Sequence, residues 1–410
     1  MTRINTKELV PGMRLAEDVV GSNGRLLMVK DLELDDKHLR ILNVWGVSEV
    51  EIAGGEGEQD GPAKHAQADP EVLAACGRYV RDIFGQADAS GEFAAELFRL
   101  TVGWFAAKVT AGEPLPPPPA DLPPGPPPAK PPPDLARLLA KSGKMIACPD
   151  VYLRINDALK NPNCSVANLA DIVGKDIGLS AKLLRLVNSP IYGYSMKVDS
   201  LVRGITILGF KELSQLVLGL SVFNQFLGIR ADVLNVREFL KHGLSCGILA
   251  RILASHRPDL PEERFFIAGL LHDIGRMTML TVSPAHLAAA MAEAVALRLP
   301  LCEVEKKFFG YSHAEVGGAL LALWKLPPEL EDPIRRHHDP AGAHDPVGAS
   351  LLCVADSLAT AMRFGSSGSA HVALADNAAW ERLGLPLGVL ESVMNQAMRQ
   401  VDEALRSLMG

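Results

Sequence analysis

An adjacent histidine and aspartate, His272 and Asp273, lie in the apolar stretch AGLLHDIGRM at residues 268–277. An imidazole beside a carboxylate can bind a metal ion, or can form a hydrogen-bonded pair inside a helical core. The pair alone does not decide between a working metal site and a core pair in a protein that only binds others. Further histidines and carboxylates along the chain favour the metal site.

Residues of the same chemical types recur through the second half of the chain. Glu238 and His242 are four residues apart in REFLKHG, so both face one side of a helix. Asp356 lies in an apolar helical run, where burial of its carboxylate is costly without a cation or hydrogen-bond donors. Helical bundles build one- and two-metal sites from such inward-facing sets. The remaining candidates are His313 in YSHAE and the adjacent His337 and His338 in RRHHDP.

The elements that must position these residues are helices. From Asp134 onward the apolar residues follow helical spacing, SVANLADIVGK opens with a serine cap, and no period-two strand pattern appears. The sequence therefore predicts a mainly α protein, with an all-α domain over residues 134–410.

Two smaller pieces precede this domain. Residues 1–54 predict a small β-rich unit, in which MRLAEDVV and RLLMVK flank the turn GSNG, and a helix in LDDKHLRILNVWG leads to the strand SEVEI. We expect Trp45 to pack inside this unit. Residues 68–111 predict two amphipathic helices that pack together or onto a partner.

A proline-rich segment at residues 112–133 separates these pieces from the all-α domain. Proline fixes φ and lacks an amide donor, so the segment is expected to be an extended, semi-rigid linker. The alternative is a docking site for a proline-reading domain, which is the rarer use of such segments.

Composition limits the classes of function. The chain has 410 residues, 48% of them hydrophobic, and a formal net charge of −7, which argues against general binding of nucleic acid. The six cysteines are scattered without a C-x-x-C pair, which indicates a reducing compartment. Neither a signal peptide nor an uninterrupted membrane-length apolar run is apparent, so we expect a cytoplasmic protein without membrane contact.

Residues 138 to about 340 resemble the HDOD domain, an HD-related output module of bacterial signalling proteins. The resemblance lies in LLRLVNSPIYGYSMKVDSLVRGITILGFKELSQLVL, AGLLHDIGRMTML, SHAEVGGALLALWKLP and IRRHHDP. The N-terminal unit is similar to the segment that often precedes HD-GYP domains. The resemblance implies an HD-type helical fold, and relatives in the superfamily are metal-dependent phosphohydrolases, some acting on cyclic di-GMP.

The resemblance also implies a ligand set. The superfamily's metal ligands fall on His242, His272, Asp273 and Asp356, and the additional HD-GYP ligands fall on Glu238, His313, His337 and His338. Mixed imidazole and carboxylate ligation favours iron or manganese over zinc, as one or two divalent ions.

Two departures from the HD-GYP pattern weigh against catalysis. After His338 the chain continues DPAGAHDPVGASLL, without the Gly-Tyr-Pro loop. The lysine expected three residues after Asp273 is Arg276, a candidate phosphate contact whose geometry differs from that of lysine.

These observations leave three hypotheses. The first is a signal-transduction protein that binds signalling partners, with an HDOD scaffold or ligand-sensing domain that retains a metal site. The second is a metal-dependent phosphohydrolase acting on a nucleotide or cyclic dinucleotide. The third is a metal-free interaction domain, in which the histidines are ordinary core residues. We favour the first, without hydrolytic activity.

Overall fold

The computed structural model describes residues 2–6, 8–21, 26–53, 69–117, 131–143, 146–189, 191–194, 197–227 and 233–409. The predicted hairpin turn at residues 22–24 and most of the predicted linker, residues 118–130, lie outside the described residues.

Helices dominate the structure, as the sequence predicts. The strands are β1 (Thr2–Asn5), β2 (Val19–Val20), β3 (Leu26–Met28) and β4 (Glu49–Ile52). The first helices are α1 (Asp36–Val44), α2 (Pro70–Phe84), α3 (Glu92–Thr110), α4 (Leu135–Ser142), α5 (Asp150–Leu159), α6 (Val166–Gly174), α7 (Ile177–Val187), α8 (Leu201–Leu208) and α9 (Phe210–Leu227). The later helices are α10 (Val236–Ser255), α11 (Glu262–Leu271), α12 (Ile274–Val282), α13 (Pro284–Leu297), α14 (Leu301–Phe309), α15 (His313–Leu323), α16 (Pro328–Arg336), α17 (Pro346–Ala361), α18 (Asn377–Leu383) and α19 (Val389–Met409).

The chain forms two compact units, and neither is continuous in sequence. The first contains Met1–Ala66, Asp150–Leu220 and Ser392–Gly410, and the second contains Gln67–Pro149 and Ser221–Glu391. The units therefore differ from the succession of domains predicted along the chain, because composition does not reveal which distant segments pack together.

The small β-rich part of the first unit is present. β1 pairs antiparallel with β4, and β2 pairs antiparallel with β3. Asp35 caps α1 by accepting a hydrogen bond from the backbone of His38, and Trp45 is buried in the core beside this helix, as predicted. Strand β1 has no counterpart in the prediction, since TRIN carries only a short alternation of apolar and polar residues.

The predicted helical pair is α2 and α3 of the second unit. The two helices pack against each other, which was the first of the two predicted arrangements. The pair also contacts other helices of its own unit. Phe93 stacks on Trp380 with ring centroids 5.3 Å apart, and the Gln86 side chain donates to the Leu297 carbonyl over 2.7 Å.

One stretch of the described residues, Glu262–Val282, is long and apolar enough to cross a membrane by composition alone. It is 83% buried within the structure, and core helices of soluble proteins pass the same test, so this is a weak indication. A second stretch, Leu201–Leu208 with Phe210–Phe226, passes only if a pair of helices bent by 114° counts as one span.

Candidate metal centre

Seven of the eight predicted ligands meet at one interior point of the second unit. Their positions are the middle of α10, the α11–α12 junction, the start of α15, the end of α16 and the middle of α17. Six of them are at most 7% exposed, and His338 is half-buried. The seven residues are His242, His272, Asp273, His313, His337, His338 and Asp356.

Glycines let the helices come close enough for this convergence. A Cβ on Gly269 of α11 would lie 2.7 Å from the Cys246 carbonyl of α10, and a Cβ on Gly275 of α12 would lie 2.0 Å from the His313 carbonyl. Real Cβ atoms are not found at such distances, so these helix crossings require glycine. The contacts bring the α11–α12 junction against both α10 and α15.

Four donors, which we name the cysteine group, form one side of the centre: His242, Cys246, His272 and Asp356. Asp356 Oδ1 is 3.2 Å from His242 Nε2 and 3.8 Å from His272 Nε2. The His272 Nδ1 atom lies 2.7 Å from the Gly269 carbonyl, so Nδ1–H donates there and the Nε2 lone pair faces the centre. His272 Nε2 is buried and has no hydrogen-bond partner.

Asp273 lies against both sides of the centre. Its Oδ2 atom is 3.1 Å from His272 Nε2, and its Oδ1 atom is 2.9 Å from His313 Nε2 and 2.9 Å from Arg276 Nη1. These contacts place charges close together, yet neither carboxylate oxygen meets hydrogen-bond geometry. Buried oxygens without hydrogen-bond partners are what a cation site requires.

Three imidazoles, which we name the histidine group, form the other side: His313, His337 and His338. His313 Nε2 is 3.3 Å from His337 Nε2 and 3.2 Å from His338 Nε2. The other nitrogen, His313 Nδ1, is 2.5 Å from Glu305 Oε2. Both nitrogens of His313 therefore face carboxylate oxygens, which favours the doubly protonated ring.

Glu305 is a buried participant that the sequence reasoning missed. Its side chain is fully buried on α14 and accepts a hydrogen bond from the His313 backbone over 2.9 Å. It also accepts from Arg276 Nε over 3.0 Å. The segment LCEVEKKFF resembles a solvent-facing helix, because two lysines follow the glutamate, so only the apolar spacing around Glu305 hinted at burial.

Arg276 is buried, and two of its guanidinium nitrogens already donate to protein oxygens. Nε donates to Glu305, Nη1 donates to the Ser367 carbonyl over 3.1 Å, and Nη2 lies 2.7 Å from His313 Nδ1. Arg276 therefore neutralises carboxylates inside the protein. Its role as a phosphate contact stays a prediction.

The ionisation of the carboxyl groups follows from these contacts. Burial by itself would raise the pKa of Asp273, but Arg276 and the imidazoles of His272 and His313 hold it well below its usual range. Burial would also raise the pKa of Glu305, but His313 and Arg276 lower that pKa to about 2. Both groups are therefore ionised near neutral pH.

The imidazoles divide into two kinds. Burial would lower the pKa of His242, but the thiol and the carboxylate beside it raise that pKa to about 10. Burial and two neighbouring imidazoles lower the pKa of His337 to about 3, and burial with its histidine neighbours lowers the pKa of His338 well below its usual value. Two rings of the histidine group are thus neutral.

Glu238 does not belong to any of these donor groups. It lies in the first turn of α10, half-buried, one turn before His242. Its backbone carbonyl accepts a hydrogen bond from Ser366 over 3.0 Å. Its role as a ligand stays a prediction.

The sequence profile of the HDOD family matches residues 145–340. That range contains the α11–α12 junction and both elements of the histidine group. Residues 145–340 are an HDOD domain. Asp356, which completes the cysteine group, lies beyond the end of the matched range, on α17.

The chain is similar to a solved HDOD structure and to two curated proteins. The crystal structure of an HDOD domain protein with unknown function from Geobacter sulfurreducens is 22% identical, with a TM-score of 0.53 over 67% of this chain and 95% of that chain. An uncharacterized protein of Treponema pallidum is 24% identical over 47% of this chain, and Ribonuclease Y of Thermus thermophilus is 31% identical over 40%. The matches span only 37% and 24% of these curated relatives. The resemblance of the N-terminal segment to HD-GYP proteins is not confirmed.

A cavity of about 660 Å³ in the second unit is lined by His338 of the histidine group. The α2–α3 loop, α14 and the segment before α18 form its walls. Its charged lining consists of Asp88, Glu303 and Asp376 against Lys306, so the cavity is acidic.

Proposed function

We propose that this HDOD domain is a regulatory module of signal transduction that holds one divalent transition-metal ion and does not hydrolyse a substrate. The ion has a structural or ligand-sensing role. We expect the protein to act in the cytoplasm by binding a signalling protein. The proposal builds on the HDOD resemblance, the absent Gly-Tyr-Pro loop and the geometry of the centre.

The observation that carries the proposal is a set of buried donor atoms without hydrogen-bond partners. Three buried carboxylates, of Asp273, Glu305 and Asp356, lie among the imidazoles, and the one guanidinium beside them, that of Arg276, pairs with only the first two. Buried carboxylates are costly unless they are paired, and without an ion the protonated imidazoles of His242 and His313 supply the remaining positive charge. A divalent ion would take over part of that role, and His272 Nε2 and the Asp273 oxygens, which have no hydrogen-bond partner, face the place where it would bind.

The position of the donors favours a structural role. His242, His272 and Asp356 belong to α10, the α11–α12 junction and α17, so an ion held between them would join three separate parts of the fold. Because such an ion binds the folded chain and not the unfolded one, it would stabilise the domain by mass action.

Metal analysis of protein purified without oxygen tests the proposal. We expect about one transition-metal ion per chain, lost in His272→Ala, and no turnover of nucleotides, cyclic dinucleotides or phosphodiesters at an ordinary enzymic rate. Failure of the protein to retain or take up any metal would contradict the proposal.

The alternative function is a metal-dependent phosphohydrolase, and the cavity at His338 is the observation that favours it. Its volume lies within the range of ligand pockets. A bound ion would supply Lewis-acid activation of a phosphate or a water. Against this function, the lining is acidic, which disfavours a polyanionic substrate. Turnover of a phosphodiester that His272→Ala and Asp273→Ala abolish would establish the alternative.

A further inference from the structure

One side chain of the cysteine group has no counterpart in the ligand set that the resemblance implies. Cys246 is 1% exposed and lies four residues after His242 on α10, so both side chains face the same side of that helix. By sequence it is a small hydrophobic residue in an apolar helix. In the structure its sulfur lies 3.5 Å from His242 Nε2.

The distances within the cysteine group fit a tetrahedral ion. Bonds of about 2.0–2.3 Å around such an ion place neighbouring donor atoms roughly 3.3–3.8 Å apart. The separations are 3.5 Å from Cys246 Sγ to His242 Nε2, 3.2 Å from His242 Nε2 to Asp356 Oδ1 and 3.8 Å from Asp356 Oδ1 to His272 Nε2. All four donor atoms lie within 4.8 Å of one another.

We propose that Cys246 is a metal ligand, and that the ion is held by two imidazoles, one thiolate and one carboxylate. Binding would release the thiol proton, because only the thiolate is a ligand. The inference rests on the proposed metal centre and specifies its donors. Asp273 is then a neighbour of the ion and not its fourth ligand.

The contacts of Asp273 support this division of roles. Its Oδ1 atom lies 2.9 Å from both Arg276 Nη1 and His313 Nε2, so two cationic partners hold that oxygen on the side of the histidine group, and only Oδ2, 3.1 Å from His272 Nε2, faces the cysteine group. Cys246 has no charged competitor of this kind in the part of the chain that the structure describes: the atoms within hydrogen-bonding range of its sulfur are the His242 ring nitrogen and, at 3.9 Å, the Ala355 carbonyl.

A thiolate changes the metal that the centre prefers. Sulfur with imidazole in a tetrahedral site suits zinc or ferrous iron, whereas manganese prefers oxygen donors. We therefore expect zinc to bind in preference to manganese, in contrast to the preference for iron or manganese that the histidines and carboxylates alone suggest.

Cobalt substitution tests the proposal in the full-length protein. The metal-free protein is titrated with Co²⁺ and its electronic spectrum is recorded. We expect one bound Co²⁺ per chain and an intense near-ultraviolet thiolate-to-cobalt charge-transfer band. The band should disappear in Cys246→Ser, and should persist in Cys353→Ser, which removes another buried thiol of the same unit. It should also persist in Asp273→Asn.

The outcomes separate this proposal from the metal centre itself. One bound Co²⁺ without the band, or a band that survives in Cys246→Ser, overturns the thiolate ligand and leaves the metal centre standing. Failure to bind any Co²⁺ overturns both. If Cys246→Ser does not fold, X-ray absorption of the zinc-loaded wild-type protein decides, since a sulfur neighbour at about 2.3 Å is expected and a shell of only nitrogen and oxygen contradicts it.

Discussion

The cysteine group and the histidine group have similar side chains, yet one ring of the histidine group, that of His313, is committed to protein partners in a way that His272 of the cysteine group is not. In the histidine group, both nitrogens of His313 face carboxylate oxygens, and Arg276 lies against the same ring. In the cysteine group, His272 Nε2 has no hydrogen-bond partner. The comparison teaches that a metal site is marked by uncommitted lone pairs and not by the number of imidazoles. The predictions below test this difference.

The largest effect is expected from removing the internal cation. Arg276→Met leaves Glu305 and Asp273 buried without their guanidinium, so the free energy of unfolding of the metal-free protein should fall by about 3–5 kcal/mol. Urea denaturation followed by circular dichroism measures the change. The double variant with Glu305→Gln should lose less than the sum of the two single losses, because one unpaired charge is then absent. A loss in Arg276→Met no larger than that of an exposed arginine contradicts the assigned role.

The next effect separates the two groups by metal affinity. His272→Ala should weaken binding of the ion by at least about a hundredfold, because it removes a direct ligand, whereas loss of an outer partner costs about 10–100-fold. His338→Ala, in the histidine group, should change the affinity by less than about tenfold. Competition with a fluorescent chelator measures both constants. Equal losses in the two variants would mean that both groups hold the ion.

Removal of the ion should destabilise the domain by mass action. With free ion at about 100 times its dissociation constant, chelation should lower the free energy of unfolding by about 2.7 kcal/mol. Thermal unfolding with and without a chelator measures the change, and His272→Ala serves as the control that should not respond. A chelator effect of the same size in that variant would place the ion elsewhere.

The smallest effect is a pH dependence from His371, whose Nδ1–H donates to the Asp82 carbonyl over 2.9 Å. Burial lowers the pKa of His371 below its usual 6.5, although the Asp82 contacts act in the opposite direction. The unfolded chain therefore takes up more protons below pH 6.5, so this part of the stability is present above that pH and is lost as the pH falls.

Thermal midpoints measured at pH 7.5 and 5.5 should fall less in His371→Asn than in the wild type, because asparagine keeps a donor but does not titrate. The difference between the variant and the wild type isolates the contribution of His371 from the pH response of the metal centre. An unchanged pH dependence in the variant contradicts the assignment.

Local signals in the sequence predicted much of the fold. Apolar spacing predicted the helices after residue 134, and Asp35 and Ser165 cap helices as their positions indicated. The spacing of four between Glu238 and His242 was correct for a helix, but only His242 reaches the donor groups, since helical spacing does not reveal how deep each position lies. Strand β1 and Glu305 were missed because their sequences resemble exposed segments.

The sequence by itself determined the inventory of donors, the mainly helical class and membership of the HDOD family over residues 145–340. These depend on residue types and on periodicity within single helices. Only the tertiary structure decided that Cys246 joins His242, His272 and Asp356, and that Arg276 neutralises Glu305 and Asp273. The physical reason is that distances between such remote positions are set by how helices pack, which here depends on close backbone approaches at glycines.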